Sequence, residues 1–188
     1  MLKTLRNAFK IKDIREKILY TFMMLVVIRI GSNLRIPGVN PEVVKEFFQQ
    51  NDGALGFIRA ITGGSFEQMS ILALGITPYI TSSIIMQLMT IAIPKLEEMQ
   101  RDGEDGRKKI LEYTRYLTVG LALLQAIAMA VGFGSQGLLI QKGIKSVIVV
   151  VCTMTAGSAF LMWIGERITE SGVGNGISMV LLFNIISS

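Results

Sequence analysis

The chain has no histidine and a single cysteine, Cys152, which lies inside an apolar run. One thiol cannot form an intrachain disulfide. Without imidazole, the usual zinc ligand and the usual acid–base catalyst near neutral pH are both missing. Charge is scarce too: Asp, Glu, Lys and Arg make up 18% of the 188 residues and sit almost wholly between long apolar stretches. None of those stretches contains an Asp or Glu. Ion-coupled pumps and proton relays usually need an acid at membrane depth, so that class of transport is disfavoured.

What is present is apolar length. Gln68 to Pro94, Tyr116 to Gln141 and Ser146 to Gly165 carry no charge, Ile18 to Ile36 is broken only by Arg29 and Arg35, and Gly172 to Ser188 is charge-free to its last residue. A helix of about 20 mostly apolar residues crosses the hydrocarbon core. Irregular backbone cannot face lipid there, because its amides would go unpaired. The expectation is therefore an all-α membrane protein. Its spans fall at 18–36, 69–94, 116–140 and 146–165, with a fifth starting at 176–188. No Ala-x-Ala pattern follows the first run, which is long for a signal peptide, so it reads as a retained span.

The cations give the topology. Lys3, Arg6, Lys10, Lys12, Arg15 and Lys17 precede the first span; Lys95, Arg101, Arg107, Lys108, Lys109 and Arg115 follow the second; Arg167 follows the fourth. The opposite side has only Arg35, Lys45, Arg59, Lys142 and Lys145. The positive-inside bias then puts the N-terminus in the cytoplasm. Residues 1–17 read as a basic amphipathic surface helix, 95–115 and 166–175 as cytoplasmic loops, and 37–68 and 141–145 as external ones. No nucleic-acid motif accompanies the basic balance, and topology accounts for it.

Within 37–68, Asn40 and Pro41 open a helical stripe of Val43, Val44, Phe47 and Phe48. Leu55 to Ile61 is apolar but too short to cross, and it stops at Gly63-Gly64. That pattern fits a re-entrant helix hinged on two glycines or an ordinary interfacial helix, and spacing leaves both open. The second run is too polar to face lipid all round, with Thr77, Thr81, Ser82, Ser83, Gln87 and Thr90, and Pro78 is expected to bend it. Ile76 and Ile80 stand four apart, on one face. Gly157 and Ser158 suggest a close helix contact. Arg29 costs on the order of 2.5–3.5 kcal/mol near mid-span, which calls for a buried partner or a wet cavity. Gly172 to Gly176 follows no strand and lacks the lysine of a phosphate loop, so it reads as a tight turn.

Several motifs carry a family resemblance. Leu74-Gly75-Ile76-Thr77-Pro78-Tyr79-Ile80 and Ser82-Ser83-Ile84-Ile85-Met86-Gln87-Leu88 resemble the second span of the SecY family of protein-conducting channels. So do Arg29-Ile30-Gly31-Ser32 with Ile36-Pro37-Gly38, Gly106-Arg107-Lys108-Lys109 with Tyr113-Thr114-Arg115-Tyr116, and Met162 to Glu170 running on into Gly172 to Ser178. The resemblance implies the N-terminal five-span half of the SecY/Sec61α ten-span fold, with an hourglass pore between the halves. It implies a hydrophobic pore ring at Ile76, Ile80, Ile177 and Leu181, where Leu181 replaces the family's usual isoleucine. It implies a plug helix at about 55–66 that includes Phe57, Ile58, Ala60, Ile61, Thr62, Gly63, Gly64 and Ser65, which decides for the re-entrant reading. It implies a lateral gate and signal-sequence face at Ser83, Met86, Gln87 and Thr90.

The same resemblance implies a multi-pass protein of the bacterial plasma membrane that moves unfolded secretory polypeptides and releases hydrophobic segments sideways into the bilayer. Implied partners are SecE, SecG, the SecA motor, the ribosome, signal peptides, nascent chains and lipids. No enzyme activity, cofactor, metal or nucleic acid is implied. Two other readings stand beside it: half of a secondary transporter built from five-plus-five inverted repeats, and a structural membrane scaffold.

Overall fold

A computed structural model describes residues 11–37, 39, 40, 46, 62, 64, 65, 68–135 and 144–186. The described residues form α1 (Lys12–Asn33), α2 (Thr77–Ala92), α3 (Pro94–Arg101), α4 (Glu104–Ser135), α5 (Ile144–Ser171) and α6 (Gly176–Ile186). Arg35 and Ser70 form an isolated antiparallel bridge. The surface basic helix is seen only from Lys12 onward, where it continues into α1; the rest of it, the Val43 to Phe48 stripe and the 141–143 loop lie outside the described residues.

Helices α4 and α5 are long and apolar enough to cross a membrane, and α2 with α3 qualifies only if counted as one span bent by 102°. The bend has a local cause. Ile93 is extended (φ −112°, ψ 112°) because Pro94, the first residue of α3, disfavours helical backbone in the residue before it. Pro78 behaves differently from the expectation: it lies in the first turn of α2, where no partner is needed for its missing N–H, and it starts the helix rather than bending it. The charged stretch 95–115 is mostly helical, split between α3 and the first turns of α4.

Helix α5 is the hub. It packs on α4 most extensively and also on α6, α1 and α2. Ala122, Ala126 and Ala130 recur every four residues along α4 and meet Val150, Val151 and Met154 in a core that also takes in Ile36, Met69 and Leu74. Small side chains at that spacing let the helix axes come close. On the other flank, Ile28 of α1, Leu161, Ile164 and Ile168 of α5 and Val180 of α6 form a second core with Leu72, Ile76 and Tyr79.

Residues 68–76 do not continue α2 backwards. Ile36 N–H donates to the Met69 carbonyl and Ile71 N–H to the Leu34 carbonyl, each at 2.9 Å, so the chain after α1 holds this segment in a non-helical path. Here the structure corrects the reading of Gly157 and Ser158. Their neighbour is this irregular segment and not a helix: a Cβ on Gly157 would collide with the Ile71 carbonyl oxygen, and Ser158 Oγ donates to the Gly75 carbonyl at 3.4 Å. From Met69 to Ile76 this non-helical segment is thus largely enclosed by protein.

Arg29 has no buried partner among the described residues. It sits on the exposed side of α1, while the adjacent Ile28 carries the packing.

Candidate functional site: the α2–α5–α6 junction

Three glycine-sized gaps bring two helix starts onto α5. Gly176 opens α6 so close to α5 that a Cβ would collide with the Gly165 carbonyl oxygen. At Gly165 itself, Ile177 Cγ1 stands 3.5 Å from the place a Cβ would occupy, and Ile76 Cδ1 stands 3.5 Å from the same place. The third gap is Gly157, described above. Ile76 caps α2, and the Ile80 N–H donates to its carbonyl at 3.1 Å, which sets the two isoleucines one turn apart.

Ile76 and Ile177 meet over Gly165, and all four expected ring residues belong to or border one core. Ile76 belongs to the second core, and Ile80, Ile177 and Leu181 pack against it. They are not equivalent: Ile76 is only 2% exposed, a core side chain, whereas the other three are half-buried and keep an apolar edge free. The opposite helix faces carry different chemistry. Ser83, Met86, Gln87 and Thr90, the expected gate residues, all line one cavity of about 170 Å³ with Tyr79, Gln100, Ile110, Leu111 and Thr114. Spacing explains this, since 79, 83, 86 and 90 make a stripe along α2 facing α4. Thr90 and Thr114 spend their hydroxyls on carbonyls of their own helices (Gln87 at 2.7 Å and Ile110 at 2.8 Å), so they present methyl groups to the cavity.

Of the expected plug, Phe57, Ile58, Ala60, Ile61 and Gly63 lie outside the described residues. Thr62 and Ser65 are buried, with Ser65 N–H donating to the Thr62 carbonyl at 3.2 Å, and Gly64 has φ +74°.

One feature went unread in the sequence. Arg115 of α4 grips Glu166 of α5 with two prongs, Nε to Oε1 at 2.9 Å and a terminal guanidinium nitrogen to Oε2 at 2.9 Å. Beside it Arg167 lies over the Trp163 ring at 5.7 Å and bonds Glu170 at 3.1 Å. Charges of opposite sign inside or next to two apolar runs were the available signal. Among the described residues no group of three or more His, Cys, Asp or Glu side chains is placed to hold a metal. The turn from 172 to 175 is as expected: Asn175 Oδ1 accepts from the Ile177 N–H at 3.0 Å and caps α6.

A SecY family model matches residues 70–188. The chain is 48% identical over 178 residues to the protein translocase subunit SecY of Pseudomonas aeruginosa, covering 94% of this chain and 40% of that protein. It is 44% identical over 192 residues to the same subunit of Bacillus subtilis, covering 100% of this chain and 44% of that one. It thus spans less than half the length of these relatives. Two solved structures share the fold, "The structure of a protein conducting channel" and Sec61 in the canine ribosome–channel complex of the endoplasmic reticulum. Each has a TM-score of 0.62 at 19% identity and covers 90% of this chain and 36% of the other.

Proposed function

Because the chain belongs to the SecY family, we propose that it supplies one wall of a protein-conducting channel in a bacterial plasma membrane, with its N-terminus in the cytoplasm. The free edges of Ile80, Ile177 and Leu181, seated on Ile76, form part of an apolar constriction. A passing polypeptide presents every side-chain type in turn. Branched aliphatic groups offer it no hydrogen bond to stick to, and when closed they dewet and hold back ions. The observation that carries this reading is the junction itself: two chain segments about a hundred residues apart converge their aliphatic side chains on Gly165.

The face of α2 that carries Ser83, Met86, Gln87 and Thr90 is one wall of the seam where an apolar signal segment leaves toward lipid. Burying such a segment there stabilises the open seam by roughly 25 cal/mol per Å². The segment from about Phe57 to Ser65 acts as the plug. SecE, SecG, SecA, the ribosome and nascent chains are its partners, and the work of movement comes from them, with no covalent chemistry on this chain. The relatives' naming as translocase subunits supports this reading over a five-plus-five transporter.

The test is a stalled translocating chain in the full-length protein, carrying Ile80→Cys or Ile177→Cys. Both positions are expected to crosslink to the stalled chain. Crosslinks found only from outward control positions on α4, such as Leu124→Cys or Val131→Cys, would overturn the pore reading; both leucine and valine there are well exposed.

A further inference from the structure

The turn that launches α6 is held by two threonine hydroxyls from two different helices. Thr169 of α5 donates to the Gly165 carbonyl at 2.9 Å and accepts from the Gly176 N–H at 2.9 Å. Thr21 of α1 donates to the Lys17 carbonyl at 2.9 Å and accepts from the Val173 N–H at 3.1 Å. Thr21 is 4% exposed, and a Cβ on Gly172 would stand 2.6 Å from its oxygen, so the turn is seated tightly on it. Thr21 and the Val173 amide it accepts from are 152 positions apart in the chain.

A back-bonding threonine normally serves its own helix alone. Thr21 does more, because its oxygen also accepts from the Val173 amide, two residues past the end of α5. Three residues beyond that amide the backbone packs on Gly165, and the next side chain, Ile177, lies against the same spot as Ile76. A change in how α1 sits is therefore passed through one hydrogen bond to the start of α6. Serine could make both bonds. Valine matches the shape and makes neither.

We propose that Thr21 is a positioning residue for the apolar constriction: it ties α1 to the α5–α6 turn and so holds Ile177 against Ile76. The inference rests on the pore reading above only for its consequence, not for its geometry.

The experiment uses the full-length protein in membranes, in a Cys152→Ala background, with Ile76→Cys and Ile177→Cys joined by a short bis-maleimide, which adds to one thiol at each end. Two readouts are taken: crosslink yield, and ion current in reconstituted bilayers for the same Thr21 variants without the added cysteines. Thr21→Val should lower the yield several-fold, and Thr21→Ser should restore it. If Thr21→Val does not accumulate, Thr21→Ala removes the same hydroxyl with less bulk and carries the same expectation. Thr153→Val is the control, since that hydroxyl bonds only the Val149 carbonyl of its own helix, at 2.6 Å. An unchanged yield in Thr21→Val, or an equal fall in Thr153→Val, overturns the proposal. A fall specific to Thr21 with no rise in resting current upholds the positioning role and counts against the pore reading instead.

Discussion

Arg115 and Glu166 are joined across the α4–α5 interface by two contacts of 2.9 Å each. The planar guanidinium matches the carboxylate fork, so the pair fixes rotation as well as distance between the two helices. It sits where the most extensive helix contact of the fold approaches its charged end.

Removing one partner leaves the other without a match. Glu166 is 14% exposed and Arg115 45%, so solvent screens the loss in part. Arg115→Leu and Glu166→Gln should each lower stability by about 1–3 kcal/mol. The exchanged pair Arg115→Glu with Glu166→Arg should recover part of it. Thermal melting in detergent, arranged as a double-mutant cycle, measures the coupling; additive losses would show that the pair contributes nothing of its own.

Glycines on these helices should answer differently to the same change. Gly157→Ala drives a methyl into the Ile71 carbonyl, which is backbone and cannot rotate away. It should cost about 1–3 kcal/mol, as overpacking does, and expose 68–76 to proteolysis. Gly120 on α4 has nothing within 4 Å of the added atom. Gly120→Ala should raise stability by about 0.5–1 kcal/mol, the helix preference of alanine. Melting temperatures of the two variants, side by side, check both.

Asn175 caps α6 through the Ile177 N–H at 3.0 Å. Asn175→Ala should cost about 1 kcal/mol, and Asn175→Asp should cost little, because the carboxylate accepts the same bond at a helix N-terminus. Unfolding followed by denaturant titration distinguishes the two.

The cavity of about 170 Å³ between α2 and α4 is small enough for one aromatic side chain to fill. Ser83→Trp should leave the fold's stability close to unchanged, since Ser83 is only half-buried. It should sharply reduce crosslinking between a signal peptide and Gln87→Cys. Undiminished crosslinking would place signal contact elsewhere on α2.

Much of the fold was legible because its cause is local. Charge-free runs name their solvent, and helix is the one backbone that satisfies itself there. The turn at 172–175 could be read because its glycines mark it from neighbours in sequence; its Asn175 cap, although equally local, went unread. The face at Ser83, Met86, Gln87 and Thr90 came from the family resemblance, and helical spacing accounts for these residues lining one cavity. Pro78 misled because proline's effect depends on whether helix precedes it, and what precedes it was decided by Leu34 and Ile36 bonding to Ile71 and Met69. Arg29 misled in a similar way: its depth in the run suggested a buried partner, but the face that α1 turns to α5 carries Thr21 and Ile28 instead.

The amino-acid sequence alone determined that this is a bundle of apolar helices, and its motifs pointed to the family. Those properties depend on composition and spacing within single segments. Only the tertiary structure decided that α2 begins at Thr77, that Arg115 pairs with Glu166, that Gly157 receives a carbonyl, and that Ile76 meets Ile177 over Gly165. Each of these joins residues tens of positions apart or more, and their meeting follows from how closely α5 lets its neighbours approach.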